Sequence, residues 1–187
     1  MIRNASQLEL IVRQQGPATL LDFAVKRPGS IAGGIALAEI CLAGLGTVQF
    51  LPSYDDQLNL PAVSVRTDWP LIACIASQYA GWPFSSGDYF AMCSGPARVN
   101  RGLEPILKDF HLEGHFAPAV GVFESNSLPK ADAIAAFAEA CRVPPEQVLI
   151  CIARTASFPG MIQVVARSIE TAMHKLHELK FDLSTIV

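Results

Sequence analysis

Four polar residues near the end of the chain recur at intervals that suit one face of a helix. They are Gln163, Arg167, Glu170 and His174. Spacings of four, three and four place side chains above one another on a continuous helix. A guanidinium beside a carboxylate favours the ionised carboxylate, which can orient or deprotonate a water molecule. The Arg-x-x-Glu spacing of Arg167 and Glu170 is also typical of an ordinary surface ion pair, and spacing alone leaves both interpretations open.

Three further polar residues lie where a predicted helix ends and a glycine loop begins. These are Ser77, Gln78 and Tyr79. Backbone and side-chain donors at such a boundary can meet a ligand. Polar residues are also common at ordinary helix ends, so a purely structural interpretation stays open beside ligand binding.

Two tight turns are further candidates for ligand binding. The turn at Ser94 and Gly95 leads into a predicted helix, whose free N–H groups can bind an anion, with Arg98 in its first turn. An ordinary turn without a ligand explains the same residues. Thr155 and Ser157 follow a predicted strand, and ligands of α/β sheets bind at the carboxyl ends of the strands.

The sequence favours no metal site and contains no common nucleotide or hydrolase motif. His111 and His115 have the i, i+4 spacing of helical metal ligands, but Gly114 and the predicted strand that follows argue against a helix there. Neither G-x-G-x-x-G, nor a Walker loop, nor G-x-S-x-G occurs. The sequence therefore gives no motif that would indicate dinucleotide binding, phosphoryl transfer or the nucleophile elbow of an α/β-hydrolase.

Composition narrows the class of protein. The 187 residues are 51% hydrophobic and 17% charged, which is typical of a globular domain with a sizeable core. The 14 Lys and Arg against 17 Asp and Glu give no basic excess for a nucleic-acid backbone. Five cysteines without a C-x-x-C pair indicate reduced thiols and a cytoplasmic location. No membrane span is expected, because the most apolar stretch, residues 31–51, contains Glu39.

Apolar runs and helix breakers predict a single α/β or α+β domain, 1–187, in which short strands and helices alternate. The predicted helices cover residues 6–15, 30–43, 68–79, 97–109, 129–140 and 161–179. The predicted strands cover residues 19–25, 47–51, 62–66, 89–93, 117–124 and 148–153. Ser30 and Asp68 are the expected helix caps. The last helix is expected to be amphipathic, with its polar face toward water or a cleft.

Four segments of the sequence together resemble methenyltetrahydromethanopterin cyclohydrolases. They are AEICLAGLGTV at 38–48, ACIASQYAGW at 73–82, YFAMCSGPAR at 89–98 and VARSIETAMHKLH at 165–177. The resemblance runs in order from about Leu8 to the last residue and includes the turn from Thr155 to Ser157. None of these segments is a common motif that recurs by chance.

The resemblance implies a hydrolase of one-carbon metabolism, as in methanogenesis and formaldehyde oxidation. The family reversibly hydrolyses 5,10-methenyltetrahydromethanopterin to 5-formyltetrahydromethanopterin, without a redox cofactor or metal. Glu170 matches the family's catalytic carboxylate, which handles the attacking water, and Arg167 matches the arginine that fixes its charge and position. The substrate carries a phosphate and an acidic tail, and we expect Arg98 to contribute to that anion contact on chemical grounds. The full set of expected substrate-binding residues is Ser77, Gln78, Tyr79, Ser94, Gly95, Arg98, Thr155 and Ser157.

The sequence also departs from the family. Family members are longer at both ends, and their pocket lies between two lobes, of which this chain resembles the first. We therefore expect either a homo-oligomer or a partner polypeptide to complete the binding site. An alternative is a non-catalytic homologue that binds the pterin or serves as an assembly subunit. An exposed apolar patch where the second lobe would pack is the feature that would indicate a partner.

Overall fold

A computed structural model of the chain describes residues 2–52, 60–79 and 82–186. The strands are β1 (Ile11–Gln15), β2 (Ala18–Ala24), β3 (Gly46–Leu51), β4 (Ala62–Thr67), β5 (Trp82–Ser86), β6 (Tyr89–Ser94), β7 (Ala119–Glu124) and β8 (Val148–Ala153). The α-helices are α1 (Ile31–Cys41), α2 (Ala97–Arg101), α3 (Pro105–Asp109), α4 (Ala131–Cys141), α5 (Phe158–Ala166) and α6 (Ser168–Glu178). A π-helix spans Leu71–Ala76, and short 3-10 helices span Ile2–Asn4, Pro145–Gln147 and Leu183–Thr185.

Six strands form one mixed sheet in the order β1-β2-β8-β7-β6-β5, and β3 pairs with β4 in a separate hairpin. Strand β8 runs parallel to both β2 and β7, while the outer pairs are antiparallel. Its sequence from Val148 to Ala153 is apolar because both faces of this central strand are covered. The mixed α and β content confirms the predicted fold class.

Helices cover both faces of the sheet. On one face, Phe137 of α4 packs edge to face on Phe123 of β7, with ring centroids 5.1 Å apart. The Phe137 ring packs closely against Gly121, where a Cβ atom would lie only 2.7 Å from the ring. On the other face α1 packs on the sheet through Leu37 and Cys41, and α5 packs on α1.

Several predicted boundaries are confirmed. Ser30 caps α1, since its hydroxyl accepts a hydrogen bond from the Gly33 N–H at 2.9 Å. Strands β2, β4, β6, β7 and β8 lie where alternation and apolar runs predict them. Strand β3 also occupies its predicted place, but only Val48 in it is buried, because β3 belongs to the separate hairpin and not to the central sheet.

The first predicted helix is wrong. Residues 11–15 of the predicted helix 6–15 form the edge strand β1, which pairs antiparallel with β2 in a register that sets Gln15 opposite Ala18. Gly16, with a φ of +60°, and Pro17 make the two-residue turn between them. The turn residues outweighed the weak helical spacing of the apolar positions. Strand β5, which the sequence analysis did not predict, pairs with β6 at the other edge.

Two further helices differ from prediction at their ends or middle. The predicted helix 97–109 is divided into α2 and α3, because Gly102 adopts a φ of +62° and ends α2. Asp68 does not cap the helix after β4: Pro70 occupies the cap position, without a side-chain hydrogen bond. That helix also has π-type hydrogen bonding over Leu71–Ala76, a form that is frequent at functional sites.

The longest predicted helix, 161–179, is two helices that meet at Arg167. Helix α5 ends at Ala166 and α6 begins at Ser168, with Arg167 between them at φ −82° and ψ −1°. The break changes which side chains face inward. Gln163 and Glu170 are buried, whereas Val164 and Val165 are exposed, so the polar residues do not lie on a simple solvent-facing stripe.

Candidate active site

The junction of α5 and α6 opens onto a cavity that we call the cleft. The cleft has a volume of about 270 Å³ and is lined by Met92, Glu124, Val164, Arg167, Glu170 and Thr171. Met92 belongs to β6, Glu124 is the last residue of β7, and Arg167 lies at the junction of the two helices. Helix α5 contributes Val164, and α6 contributes Glu170 and Thr171. The cleft therefore lies at the carboxyl end of β7, the usual side for ligands in an α/β sheet.

Arg167 and Glu170, the two residues singled out by their spacing, lie together at this cleft. Only 2% of Glu170 is exposed, so a solvated surface ion pair does not explain the spacing. A buried carboxylate near a guanidinium is a costly arrangement unless its charge is used or compensated. The arrangement can orient a water molecule and accept a proton from it.

The Arg167 guanidinium binds a third residue of the cleft, Glu124. Nη1 of Arg167 donates to Oε1 of Glu124 at 3.0 Å, and the two side chains are 15% and 13% exposed. The Thr155 hydroxyl donates to the other oxygen of Glu124 at 3.4 Å. Thr155 thus lies beside the cleft at the carboxyl end of β8, as the sequence predicts, whereas its role in substrate binding stays a prediction.

A second cavity adjoins the cleft. It has a volume of about 370 Å³ and shares Met92 and Glu124 with the cleft. Its other lining residues are Asp88, Phe90, Ser125, Asn126, Ser127 and Thr155. The two cavities form one groove, with the Arg167 and Glu170 side chains at one end and Thr155 further along.

Tyr79 follows the π-helix, which packs against α6. Its hydroxyl is 3.2 Å from Nε2 of His174, and the two rings meet edge to face at 4.8 Å. Burial raises the pKa of Tyr79, the positive charge of Arg98 opposes that rise, and the negative charge of Glu170 adds to it. Tyr79 is thus in contact with His174 and close enough to Glu170 for that carboxylate to affect the Tyr79 pKa.

The predicted residues Ser77, Gln78, Ser94 and Gly95 form a buried layer behind the cleft. The Gly95 N–H donates to the Ser77 carbonyl at 2.7 Å, which joins the end of the π-helix segment to the turn after β6. Gly95 has a φ of +92°, a conformation that L side chains rarely adopt. The Ser94 hydroxyl donates to the Val122 carbonyl at 3.4 Å, so both turns are fixed to the sheet.

Two amides in this layer have unused hydrogen-bonding atoms. Within the described part of the chain, neither side-chain polar atom of Gln78 has a hydrogen-bond partner, and Oε1 of Gln163 has none. Nε2 of Gln163 donates to Sγ of Cys41 at 3.6 Å. Burial raises the pKa of Cys41, against the opposing charge of Arg167, so this thiol stays protonated at neutral pH.

Arg98 is enclosed and pairs with an acid. Its Nη2 atom is 2.6 Å from Oε1 of Glu104, and the residue has no exposed surface. The guanidinium also lies over the Tyr79 ring, 5.4 Å from its centroid. Burial lowers the pKa of Arg98, while Glu104 opposes the change. The expected contact of Arg98 with an anion of the substrate stays a prediction, and the enclosed position gives it no support.

Ser157 has a structural role in the fold, and its expected ligand contact stays a prediction. Its hydroxyl accepts from the Gly160 N–H at 3.2 Å and donates to the Arg154 carbonyl at 2.6 Å, and 5% of the residue is exposed. Ser157 is therefore the N-cap of α5. A serine at the start of a predicted helix with proline two residues later is the sequence signal for this cap.

Sequence reasoning missed two residues that line both cavities, Glu124 and Met92. Glu124 closes an apolar strand, and a single acid at the carboxyl end of a strand is the only local signal for it. Met92 points outward from β6, where alternation alone does not separate a ligand-facing residue from a solvent-facing one.

Two other findings bear on function. In the part of the chain that the structure describes, no group of three or more His, Cys, Asp or Glu side chains is arranged to hold a metal ion. None of the helices described is long and apolar enough to cross a membrane.

The whole chain, residues 1–187, matches the family described as cyclohydrolase (MCH). It is similar to proteins named methenyltetrahydromethanopterin cyclohydrolase. That of Rhodopirellula baltica is 44% identical over 173 residues, which cover 91% of this chain and 52% of that protein. That of Methanosarcina barkeri is 42% identical over 178 residues, covering 94% of this chain and 55% of that protein. That of a Methylobacterium species is 40% identical over 192 residues, covering 100% of this chain and 59% of that protein.

The chain spans a little over half the length of the curated relatives it matches. The similarity includes the segments around Ser77 to Tyr79 and around Arg167 to Glu170, since nearly the whole chain is covered.

Proposed function

The chain belongs to the cyclohydrolase (MCH) family, and we propose that it takes part in the reversible hydrolysis of 5,10-methenyltetrahydromethanopterin to the 5-formyl form. The observation that carries this proposal is the burial of Glu170 beside Arg167 in the cleft. The names of the relatives supply the substrate class, and the cleft supplies the chemistry that such a substrate requires.

The methenyl carbon of the substrate lies in a cationic amidinium, which attracts a carboxylate. In the proposed reaction, Glu170 accepts a proton from a water molecule while the water oxygen bonds to the methenyl carbon. The neutral adduct then loses its hydroxyl proton as the carbon to N10 bond breaks, and N10 takes a proton. The products are the 5-formyl compound and one proton released to solvent.

Arg167 has the second role in this proposal. Its positive charge favours the ionised form of Glu170, which is the form that accepts a proton. In the return direction the guanidinium can bind the formyl oxygen as negative charge develops on it. Arg167 is suited to this because its planar group presents several donors at once.

The groove beside Glu170 could bind the rest of the substrate. Phe90 and Met92 offer apolar surface to a flat ring system, and Glu124 adds negative charge close to the expected cation. We propose that the reacting carbon lies in the cleft and that the rest of the molecule follows the groove toward Thr155. Tyr79 lies within electrostatic range of Glu170 in this arrangement, and its chain neighbours Ser77 and Gln78 are buried.

The proposal is tested by the ultraviolet absorbance decay of methenyltetrahydromethanopterin with the purified chain. Replacing Glu170 by Gln keeps the size of the side chain and removes its ability to accept a proton. We expect Glu170→Gln to lower kcat by a factor of at least about 100. Glu139→Gln is the matched control, since Glu139 is an exposed acid on α4 and should leave the rate unchanged.

Two results would contradict this assignment. Equal decay rates for the wild-type chain and Glu170→Gln would show that Glu170 is not the proton acceptor. A wild-type chain that binds the substrate without accelerating its decay would favour the alternative, a non-catalytic homologue that binds the pterin.

A further inference from the structure

We propose that Glu124 is a positioning residue, which holds the Arg167 guanidinium in the orientation that serves Glu170. This inference rests on the proposed function, in which Arg167 and Glu170 are the reacting pair. Glu124 lies 43 residues from Arg167 in the chain, and it is the last residue of a core strand.

Both oxygens of the Glu124 carboxylate are engaged by side chains of the site. Oε1 accepts from Nη1 of Arg167 at 3.0 Å, and Oε2 accepts from the Thr155 hydroxyl at 3.4 Å. The two contacts come from different directions, one from the junction of α5 and α6 and one from the turn after β8. A carboxylate held at both oxygens has little freedom to rotate, so it presents a fixed acceptor to Arg167.

Arg167 needs such an anchor. It lies between two helices, within the regular span of neither, and a long arginine side chain loses rotamer entropy when it becomes fixed. Glu124 belongs to a central part of the sheet, paired with Ala153 of β8. The contact therefore ties a long side chain at the helix junction to the central sheet.

The charge of Glu124 has a second consequence. Arg167 lies between two carboxylates of one cleft, and Glu124 offsets part of its positive charge. Without Glu124, the guanidinium would turn wholly to Glu170 and hold that carboxylate too firmly for it to accept a proton well. The charged and titratable groups that face Glu170 are Arg167 and Glu124 in the cleft, and Tyr79 and Cys74 on the π-helix side.

The competing interpretation is that the pair only ties β7 to the helix junction. The two interpretations predict different behaviour of Glu170. If Glu124 positions Arg167, loss of Glu124 changes Glu170 through Arg167; if the pair is only a structural tie, loss of Glu124 need not change Glu170 at all. A double-mutant cycle separates them, with Glu124→Gln, Arg167→Gln and the double variant. Glu139→Gln is again the matched control for loss of an exposed acid.

The first readout is the pH midpoint of the Glu170 carboxyl, followed by ¹³C NMR, which requires no turnover. We expect Glu124→Gln to lower this midpoint, since a like charge is removed and Arg167 moves closer. The fall should be larger, by about half a pH unit or more, when Arg167 is present than in the Arg167→Gln background. Equal shifts in the two backgrounds, or none, would overturn the proposal.

The second readout is the rate of hydrolysis. Glu124→Gln should lower kcat about tenfold with KM changed less than about threefold, and should lower it little further in the Arg167→Gln background. Losses that multiply in the double variant would overturn the positioning role. Absence of turnover in the wild-type chain would instead contradict the proposed function. The pH midpoints of the Glu170 carboxyl would still decide whether Glu124 acts on Glu170 through Arg167.

Discussion

At the residue scale, the proposed site depends on an almost wholly buried carboxyl group, that of Glu170, which lines the cleft together with the Arg167 guanidinium. The Tyr79 side chain is also within electrostatic range of Glu170, and only 2% of Glu170 is exposed. A low-dielectric surround strengthens the effect of each neighbouring charge. Small changes in those neighbours should therefore alter the chemistry of Glu170 more than they would at an exposed carboxylate.

Arg98 illustrates a residue whose environment favours a structural role. Replacing it by Met keeps an unbranched apolar stem without the guanidinium, and leaves buried Glu104 with Arg101, at 3.3 Å, as its remaining ion-pair partner among the described residues. Breaking such a pair from one side costs about 3 kcal/mol. We expect urea unfolding of Arg98→Met to show this loss. A loss below about 1 kcal/mol with a raised KM would instead support the contact with the anionic part of the substrate.

Arg167 and Glu170 could be paired from the sequence because they lie within one turn of each other, but their spacing also fitted an ordinary surface ion pair, and only the family resemblance implied a reacting role. Spacing arguments reach only that far. Glu124 was not predicted, since it joins Arg167 across a distance of 43 residues that only the folded sheet closes. The buried position of Arg98 was equally outside the reach of the sequence, because a charged residue after a glycine turn is typical of an exposed helix start.

At the scale of elements, the break between α5 and α6 is the feature that shapes the site. The sequence 161–179 contains neither Gly nor Pro, so the local pattern predicts one helix. Tertiary contacts provide the break: Arg167 binds Glu124 while Gln163 and Glu170 turn inward on either side of it. The prediction of a helix over 6–15 is wrong for the opposite reason, because Gly16 and Pro17 form a local turn that favours a hairpin over a helix.

The cap of α5 gives a testable consequence for this element. Ser157→Ala removes the hydrogen bond from the Gly160 N–H, which should lower the free energy of unfolding by about 1 kcal/mol. Ser157→Asp should retain most of the stability, since aspartate is also a good N-cap. Thermal or urea unfolding of the two variants measures both effects. Unchanged stability of Ser157→Ala, together with a raised KM, would support the alternative role in substrate binding.

At the scale of the whole molecule, five buried thiols set the response to alkaline pH. Burial raises the pKa of Cys74 and of Cys141 to about 12, and it raises that of each of the other three as well. An unfolded thiol loses its proton near pH 8.5. Between that pH and about 12, the folded chain therefore holds protons that the unfolded chain has released, and stability falls as the pH rises.

We expect the free energy of unfolding to fall by about 1 kcal/mol between pH 8.5 and 9.5 for each thiol that stays protonated in the folded chain. Urea unfolding at the two pH values measures the fall. Cys141→Ala provides the comparison, since removing one thiol should make the fall in the free energy of unfolding smaller by about 1 kcal/mol. Stability that is unchanged or rises over this interval would contradict the burial of the thiols.

Apolar side chains are exposed on β6, beside the cleft, and on α5. Phe90, Met161 and Val165 are each about half exposed, and such residues together are typical of a surface that another polypeptide covers. The predicted homo-oligomer or partner stays a prediction. Light scattering of the purified chain should give a mass above 20.1 kDa if copies associate. A monomer would leave a second polypeptide as the expected partner.

The most direct test of the whole account is to locate the substrate on the chain. The Glu170→Gln variant should bind methenyltetrahydromethanopterin without consuming it, and ¹³C-labelled methionine methyl groups then report the position by NMR. Met92 lines both cavities, Met161 lies exposed on α5, and Met173 is buried in the core. We predict that the Met92 signal shifts on titration while those of Met161 and Met173 stay in place. Saturable binding that leaves the Met92 signal unchanged would contradict the assignment of the cleft as the reacting site.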